Sequence, residues 1–414
     1  MSAMIRRPVL LLIFLTALNF ANYIDRFLVS AVLKNVQLEM GLSKEQSGLL
    51  ATVFLVGFFL SSPVFGYLGD RVPRKWLVVV GAVLWSVATI TSGTATTVAG
   101  LFFSRALVGV GEASFTALAP TLIQDVAPAD RKASWQSIFQ LAGPVGAAIG
   151  YVLGGHLGET VGWRHAFIYT GAPGIALALI GCAMAEPVRE GASRVARSLL
   201  EDARELFSVR LYRYALAGYT GLTFTVGAFA HWAPFFLNNQ YGVPTAAAAK
   251  SFGTITVVGG AIATLAGGQI ATRLEARCAP GDDNAKARAL LRMCGIGALV
   301  GAPLFAAAFF APSPKIFLIF AFLAELGIFV STGPINVAIF RAVPPALKAT
   351  ALALTLFVIH AGGDLISPWL VGKLADMVQD SQMALAMIPL PIALGLGGIA
   401  WFLGGKRPHA VHAP

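Results

Sequence analysis

The first long hydrophobic stretch of the chain contains a cluster of ionisable and amide side chains. Asn22, Asp25 and Arg26 lie within an apolar run that extends from about residue 8 to residue 33. A charged side chain at membrane depth costs roughly 2.5–3.5 kcal/mol or more unless it faces protein or a water-filled cavity. Charges in such a place most often serve the movement of an ion or a solute.

A second pair of charges lies in the fourth hydrophobic stretch. Arg105 and Glu112 are two helical turns apart, so they share one helix face. With a rise of about 1.5 Å per residue, Asp25, Arg26 and Arg105 fall at a similar depth in the outer half of the membrane. Adjacent residues on a helix do not face each other, so each charge needs a partner on another helix. The pairs Asp25–Arg105 and Arg26–Glu112 give the simplest neutral arrangement, and the exchanged pairs are equally allowed.

These charges are compatible with a purely structural ion-pair network, but we favour a functional one. A carboxylate in a cavity that alternately wets and dries changes its proton affinity between conformations. We therefore expect Asp25 and Glu112 to take part in proton coupling. Asn22, Arg26 and Arg105 are expected to bind substrate or to complete the charge network.

The later hydrophobic stretches contain fewer polar candidates. His360 and Asp364 are one helical turn apart and can interact. Such a pair changes charge near neutral pH and can relay a proton, or it can simply be a helix-packing hydrogen bond. Glu325, estimated at mid-membrane, either binds a cationic group or stays protonated. Glu325 and Gln140 are placed with the candidate substrate-binding residues.

The composition is that of a membrane protein. Of the 414 residues, 57% are hydrophobic and 12% are charged, whereas a soluble domain has about 25% charged residues. A run of about 20 apolar residues spans a bilayer, and twelve such stretches can be drawn. They are approximately 8–33, 44–69, 75–93, 97–124, 132–157, 163–185, 211–239, 246–272, 288–310, 315–341, 347–372 and 382–404. The sequence predicts an all-α polytopic membrane protein with twelve transmembrane helices in two six-helix bundles.

A polar segment divides these stretches into two sets. We expect an N-terminal bundle at 1–185, a cytoplasmic linker with an amphipathic helix at 186–210, and a C-terminal bundle at 211–414. Most of the 30 Lys and Arg residues then fall on the side that holds both termini. This is the positive-inside pattern of the cytoplasmic side. The net charge of +10 therefore reflects topology and gives no reason to expect a nucleic-acid partner.

Enzymatic chemistry finds no support in the sequence. It contains no phosphate-binding loop, no credible nucleophile–base pairing and no His/Cys cluster with metal-ligand spacing. The three cysteines are scattered. We expect no enzymatic activity, no cofactor and no metal site.

The loop after the second hydrophobic stretch, residues 66–75 (GYLGDRVPRK), resembles the signature loop of the major facilitator superfamily. Gly66 lets helix ends approach closely, and Asp70 can bridge helix N-terminal amides and arginines. We expect Gly66, Asp70, Arg71 and Arg74 to form a gate on the cytoplasmic side. The basic residues alternatively serve only to fix the topology. A degraded copy of the loop follows the eighth stretch at 267–274.

Three further segments resemble the Spinster family of this superfamily. They are residues 22–26 (NYIDR), 105–113 (RALVGVGEA) and 360–372 (HAGGDLISPWLVG). The resemblance implies proton-linked transport of lysolipids and sphingoid lipids, such as sphingosine-1-phosphate in animals. It also implies that Asp25 is the protonation site, with Arg26, Arg105 and Glu112 in its network. His360 stands where the family has a histidine.

The sequence thus predicts a proton-coupled secondary transporter of an amphipathic lipid that works by alternating access. We expect a monomer in the inner membrane of a bacterium, with the lipid substrate, protons and membrane lipids as its partners. Phe54, Phe58, Phe115 and Phe139 are candidates to hold an acyl tail. Two other hypotheses remain open, a proton-coupled symporter of a small organic anion or sugar acid and a membrane sensor that does not transport.

Overall fold

The computed structural model of the protein describes residues 8–69, 71–128, 131–186 and 199–406. Nearly all of these residues are helical. The α-helices are α1 (Pro8–Met40), α2 (Lys44–Gly69), α3 (Arg74–Thr94), α4 (Val98–Val126), α5 (Lys132–Thr160), α6 (Trp163–Gly181), α7 (Leu199–Ser208), α8 (Arg210–Tyr241), α9 (Thr245–Ala276), α10 (Asp283–Phe309), α11 (Pro314–Phe329), α12 (Thr332–Ala342), α13 (Lys348–Ile359), α14 (Ser367–Asp376), α15 (Met383–Ala386) and α16 (Pro389–Gly404).

These helices make twelve membrane crossings. Ten helical stretches of the described residues are long and apolar enough to cross a bilayer. Helices α6 and α8, with 19 and 32 residues, are also long enough to cross a bilayer and bring the number to the twelve expected from the sequence. Three crossings are interrupted, and they consist of α11 with α12, α13 with α14, and α15 with α16. The predicted all-α polytopic fold is confirmed, although α1 continues to Met40 and is longer than predicted.

The predicted linker helix is described in part. Helix α7 buries Leu206 while Glu201 and Arg204 are exposed, the pattern of a helix with one apolar face. Residues 187–198 of the linker lie outside the described residues, and so do both chain termini.

The chain forms two compact units. Unit 1 contains Met1–Ser193 together with two later segments, His231–Thr254 and Pro368–Met377. Unit 2 contains Arg194–Ala230, Ile255–Ser367 and Val378–Pro414. In unit 1, α1 packs against α5 and α6, α2 packs against α4, and α3 packs against α4 and α6. In unit 2, α10 packs against α11, α12 and α16.

Glycines on α5 bring the backbone of α1 close. A Cβ atom on Gly146 would stand 2.9 Å from the carbonyl oxygen of Phe20, and one on Gly150 would stand 2.8 Å from that of Ile24. Small residues four apart allow membrane helices to pack in this way. Because this face of α1 is taken by α5, the buried side chain of Asp25 is turned toward α4 and α6.

The start of α2 is capped twice. The Ser43 hydroxyl accepts the Gln46 backbone N–H at 3.1 Å, and the Gln46 side chain accepts the Ser43 N–H at 3.0 Å. This reciprocal pair is a capping box. The Asp376 carboxylate of the same unit also accepts the N–H groups of Lys44 and Glu45, at 2.8 and 2.7 Å. A negative charge at a helix N-terminus is favourable, so the position of α2 depends on a residue far away in the chain.

Aromatic rings fill the core of unit 1. The ring centroids of Trp85 and Phe115 lie 5.8 Å apart, and those of Phe115 and Phe139 lie 5.9 Å apart. All three side chains are almost completely buried. The expectation that Phe115 and Phe139 hold an acyl tail is therefore wrong for this conformation, because both rings are enclosed by their own unit.

The packing of α2 against α4 gives a direct test of the fold. A Cβ atom on Gly57 would stand 2.2 Å from the carbonyl oxygen of Ala106, whereas nothing lies within 4 Å of that position at Gly268 on α9. We predict that Gly57→Ala lowers the melting temperature of the purified protein by about 5 °C or more, since α2 must move away from α4. Gly268→Ala is the matched control and gains about 1 kcal/mol of helix propensity.

Thermal unfolding followed by tryptophan fluorescence measures both variants. Equal melting temperatures for Gly57→Ala and Gly268→Ala would contradict the close approach of α2 and α4.

Candidate functional site

Five of the predicted site residues come together in unit 1. Helix α1 supplies Asn22, Asp25 and Arg26, and α4 supplies Arg105 and Glu112. Asp25 and Glu112 are completely buried, whereas the Arg26 side chain is 25% exposed. The two helices thus place two carboxyl groups and two guanidinium groups in one cluster within the membrane-spanning region.

A direct ion pair joins the two helices. Nη2 of Arg26 donates to Oε2 of Glu112 at 2.7 Å, and Nε donates to the same oxygen at 3.1 Å. This is one of the pairings that the sequence predicts. Charge-assisted hydrogen bonds of this kind are about twice as strong as neutral ones, so the pair holds α1 and α4 in a defined register.

Aromatic rings surround the guanidinium groups. The guanidinium carbon of Arg26 lies 5.2 Å from the ring centroid of Tyr23, 5.1 Å from that of Phe54 and 5.4 Å from that of Phe58. The guanidinium carbon of Arg105 lies 5.2 Å from the same Phe54 ring. Cation–π attraction favours these positions, and Phe54 therefore holds both positive charges beside Glu112.

The second predicted pairing does not form a direct contact. No hydrogen bond joins Asp25 to Arg105. Both oxygens of Asp25 lack a hydrogen-bond partner among the described residues. Thr170 on α6, Glu112 and Arg105 are the polar neighbours that act on the Asp25 carboxyl group. Two nitrogens of Arg105, Nε and Nη1, also lack a partner. The Arg105 guanidinium lies instead near the Phe54 ring.

Buried polar atoms without partners are concentrated in this cluster. Besides the oxygens of Asp25 and the two Arg105 nitrogens, they include Nδ2 of Asn22 and Oε1 of Glu112. Most buried polar atoms in folded proteins are hydrogen-bonded, and the exceptions need an explanation. A concentration of them around ionisable groups is typical of a functional site.

His360 and Asp364 form the predicted contact in unit 2. Nδ1 of His360 donates to the carboxylate and lies 2.9 Å from each of its oxygens. The two residues bound a π-helical turn in which Gly363 has φ −107° and ψ −105°. The side chains are 39% and 20% exposed. The turn alters the helical hydrogen bonding, and the hydroxyl of Thr223 donates to the Ile359 carbonyl at 3.0 Å.

Glu325 and Gln140 lie apart from the cluster. Glu325 belongs to unit 2, where it is buried and accepts a hydrogen bond of 2.7 Å from the Thr256 hydroxyl. Gln140 is exposed on α5 and makes no hydrogen bond to a described residue. The structure gives no contact that supports a binding role for Gln140.

The predicted cytoplasmic gate is described in part. Asp70 lies outside the described residues. Gly66 is exposed and has nothing within 4 Å of its Cβ position, so the close helix approach expected there does not occur in this conformation. It occurs instead at Gly69, whose Cβ would stand 2.3 Å from the Leu118 side chain. Arg71 is exposed and lies over the Tyr67 ring.

Arg74 is buried and is held by partners of its own unit. It forms an ion pair with Asp125, and its Nη1 donates to the Thr121 hydroxyl at 3.1 Å. The carboxylate of Glu186 accepts the backbone N–H groups of Arg74 and Lys75, at 3.0 and 2.9 Å. Arg74 therefore braces the start of α3 against the end of α4.

Some of these residues were missed by the sequence analysis. Asp125 and Glu186 each follow directly after a predicted span, so an acidic residue at the end of a span near an arginine-rich loop was an available signal. Thr170 and Thr256 gave no signal, because single hydroxyl residues are common in membrane helices. The position of Phe54 between two guanidinium groups depends on the helix packing and has no local signature.

Comparisons with known proteins agree with this architecture. The model of the Major Facilitator Superfamily matches residues 15–368. "Protein spinster" of Drosophila melanogaster is 31% identical over 87% of this chain, and the chain spans 60% of that protein's length. "Probable sphingolipid transporter spinster homolog 2" of Arabidopsis thaliana is 30% identical over 93% of this chain and 85% of its own length.

A solved structure has the same fold. It is the crystal structure of a bacterial homolog of the human lysosomal transporter Spinster in an inward-facing, unoccupied conformation. The TM-score is 0.83, with 21% identity over 96% of this chain and 97% of that chain. With the family match and the relatives at 30% identity or more, this chain is a multi-pass membrane transporter of the Spinster family, within the major facilitator superfamily.

Proposed function

We propose that this transporter moves an amphipathic lipid of the lysophospholipid or sphingoid type by alternating access, and that transport is coupled to protons at Asp25. The observation that carries the proposal is the buried cluster on α1 and α4. In this cluster one carboxylate, Glu112, is paired with Arg26. Among the described residues, both oxygens of Asp25 and two nitrogens of Arg105 have no hydrogen-bond partner.

The charge of the cluster depends on one proton. Arg26 and Arg105 balance Asp25 and Glu112 when both carboxyl groups are ionised. Protonation of Asp25 leaves one positive charge in excess, because Glu112 is already held as a carboxylate by Arg26. An anionic group then binds favourably beside Arg105, and deprotonation of Asp25 restores neutrality and weakens that binding. Proton and anion binding are therefore linked reciprocally.

The guanidinium groups also indicate which head groups fit. Arginine presents a planar set of donors that matches phosphate and carboxylate oxygens. Two nitrogens of Arg105 have no hydrogen-bond partner among the described residues, so part of its hydrogen-bonding capacity is unused. The Tyr23, Phe54 and Phe58 rings around Arg26 give this charged site apolar surroundings, which suit a lipid better than a sugar acid.

The relatives support a lipid substrate as well. The Arabidopsis relative is described as a probable sphingolipid transporter, and the chain carries the Spinster segments around Asp25, Arg105 and His360. A small organic anion would use the same arginines. It would also need hydroxyl and carboxamide groups, and Gln140, one of the few candidates, makes no contact with the cluster.

We extend the proton coupling to the His360–Asp364 pair. The imidazole and the carboxylate are hydrogen-bonded and partly exposed, which are the properties of a group that exchanges protons with its surroundings. We further propose that the protein lies in the inner membrane of a bacterium. The distribution of basic residues supports a cytoplasmic location of both termini.

Replacement of Asp25 tests the coupling. Asp25→Asn mimics the protonated carboxyl group, so the cluster keeps its excess positive charge at every pH. We predict that the variant binds an anionic lysolipid with an affinity independent of pH, whereas the native protein binds it more tightly as the pH falls. Proton-driven accumulation in proteoliposomes is expected to drop by at least about tenfold.

Asp282→Asn is the matched control, because Asp282 caps α10 and asparagine caps helices equally well. An unchanged pH dependence in Asp25→Asn would remove Asp25 from the coupling role.

A double-mutant cycle tests the ion pair between α1 and α4. We predict that Arg26→Gln is more destabilising than Glu112→Gln, since it leaves a completely buried carboxylate without its partner. Breaking a buried pair costs about 3–5 kcal/mol, and removal of both charges costs less. The double variant should therefore have a higher melting temperature than the sum of the single effects predicts. Additive losses would show that the two side chains do not interact.

Ligand-dependent stability separates the two substrate classes. We predict that lysophosphatidic acid raises the melting temperature of the purified protein, while malate and gluconate do not. A ligand at 100 times its Kd contributes about 2.7 kcal/mol. Arg105→Gln should abolish the shift, and Arg204→Gln on the exposed face of α7 should retain it. Stabilisation by the acids alone would instead favour transport of a small organic anion.

A further inference from the structure

The carboxylate that ends α14 binds the first N–H groups of α2. Oδ1 of Asp376 accepts the Lys44 backbone N–H at 2.8 Å, and Oδ2 accepts that of Glu45 at 2.7 Å. Gly372 lies one turn before Asp376, and a Cβ atom at this position would overlap with the carbonyl oxygen of Lys44. The glycine therefore lets the end of α14 approach the start of α2, and the acid one turn later binds the free N–H groups there.

The same arrangement occurs at the start of α9. Oε1 of Glu159, at the end of α5, accepts the Ala246 backbone N–H at 2.7 Å. Gly155 lies one turn before Glu159, and a Cβ atom at this position would stand 2.8 Å from the Cα atom of Ala246. Residues 155–159 (GHLGE) and 372–376 (GKLAD) thus share a glycine that is followed four residues later by an acid. In both places, the acid at the end of one crossing caps the start of another.

The two contacts occupy corresponding places in the two halves of the chain. Helix α5 is the fifth crossing and α14 ends the eleventh, whereas α2 and α9 are the second and the eighth. In a fold made of two related sets of six crossings, the fifth corresponds to the eleventh and the second to the eighth. All four helix ends follow an odd number of crossings. They therefore lie on one side of the membrane, opposite to the start of α1.

Both contacts belong to unit 1. This unit contains the segments His231–Thr254 and Pro368–Met377 together with the first six crossings. The two later segments carry the start of α9 and the end of α14. A further hydrogen bond attaches one of them, since Nε1 of Trp369 donates to Oε1 of Glu45 at 2.7 Å. The later segments are thus fastened to the first six crossings at this end of unit 1.

The two caps are contacts that can open and close. The side chains of Glu159 and Asp376 are both exposed, so water can replace the N–H donors when the helices separate. A carboxylate at an exposed helix N-terminus is a modest interaction. The ion pair between Arg26 and Glu112 differs from it, because separation of that pair would leave a buried charge without a partner. The caps therefore suit a contact that is broken and formed again.

We propose that Glu159 and Asp376 form a paired latch, which holds this end of unit 1 closed and opens in each transport cycle. The proposal rests on the alternating access proposed above, in which the two later segments leave the first six crossings. Each acid contributes independently, so the loss of either one shifts the population toward the open form. The contrary case is a permanent strut, in which the same contacts add stability and never open.

The accessibility of position 47 tests the latch. Ser47 is completely buried one turn inside the start of α2, and its carbonyl oxygen lies 3.0 Å from Nε2 of His231. The rate at which a water-soluble maleimide modifies the Ser47→Cys thiol is measured by mass spectrometry on the full-length protein in nanodiscs. Glu159→Ala and Asp376→Ala should each raise this rate about fivefold, and the double variant about 25-fold. Glu201→Ala, an exposed acid on α7, is the matched control and should leave the rate unchanged.

Cys294 separates opening from unfolding. This native thiol is completely buried in unit 2, so its modification reports a loss of the folded structure. Equal acceleration at Cys294 and at the Ser47→Cys thiol would overturn the latch. A lower melting temperature with no acceleration beyond that of Glu201→Ala would show a permanent strut and would overturn it as well. So would rapid modification in the Ser47→Cys background alone, because the contact would then not be closed in solution.

Gly372→Ala provides a second variant that leaves both acids in place. The added methyl group would overlap with the Lys44 carbonyl oxygen, so the closed form is destabilised and the Ser47→Cys thiol should react faster. Gly268→Ala, with nothing within 4 Å of its Cβ position, is the matched control and should have no effect. Because the assay contains neither lipid substrate nor proton gradient, a failure of lipid binding would leave its result unaffected. Unchanged rates would overturn the latch and leave the charge cluster on α1 and α4 untouched.

Discussion

The ion pair between Arg26 and Glu112 is the interaction on which the site depends. Burial of a carboxylate costs less free energy when an arginine pairs with it, and Arg26 provides two hydrogen bonds to one oxygen of Glu112. Glu112 is thereby paired directly with Arg26. We propose that a single proton on Asp25 then sets the charge balance between Asp25 and Arg105. In this proposal the transporter responds to pH through one carboxyl group, and the Arg26–Glu112 pair is unchanged.

Helix packing places these charges within reach of one another. The glycines of α5 leave room for the backbone of α1. On α4, a Cβ atom added to Gly109 would stand only 2.0 Å from the carbonyl oxygen of Phe54 on α2. Phe54 is therefore held rigidly between α1 and α4, and its ring lies near both guanidinium groups. Backbone contacts of this kind leave little freedom for the helices to rotate. The register of α1 against α4 is consequently a property of small residues as much as of the charges themselves.

The sequence predicts the membrane crossings well because the bilayer requires an apolar stretch of a given length. It predicts the α1–α4 cluster because helical spacing constrains which charges lie at the same depth in the membrane. It does not decide which acid pairs with which arginine, since both arrangements are neutral. It misses the extra length of α1, whose last two turns are polar. The sequence also does not predict that Phe115 is enclosed in the core of unit 1. A phenylalanine in a membrane helix can face lipid, ligand or protein, and the local sequence pattern is the same in all three cases.

We propose that Asp25 gains a proton when an anionic lysolipid binds. Proton uptake upon binding is measured directly with a pH indicator in weakly buffered protein solution. The native protein is predicted to take up as much as about one proton per ligand bound, with a pH-dependent fraction, and Asp25→Asn is predicted to take up none. Equal uptake by the two proteins, or binding of the lipid to the native protein without any uptake at any pH, would contradict the account.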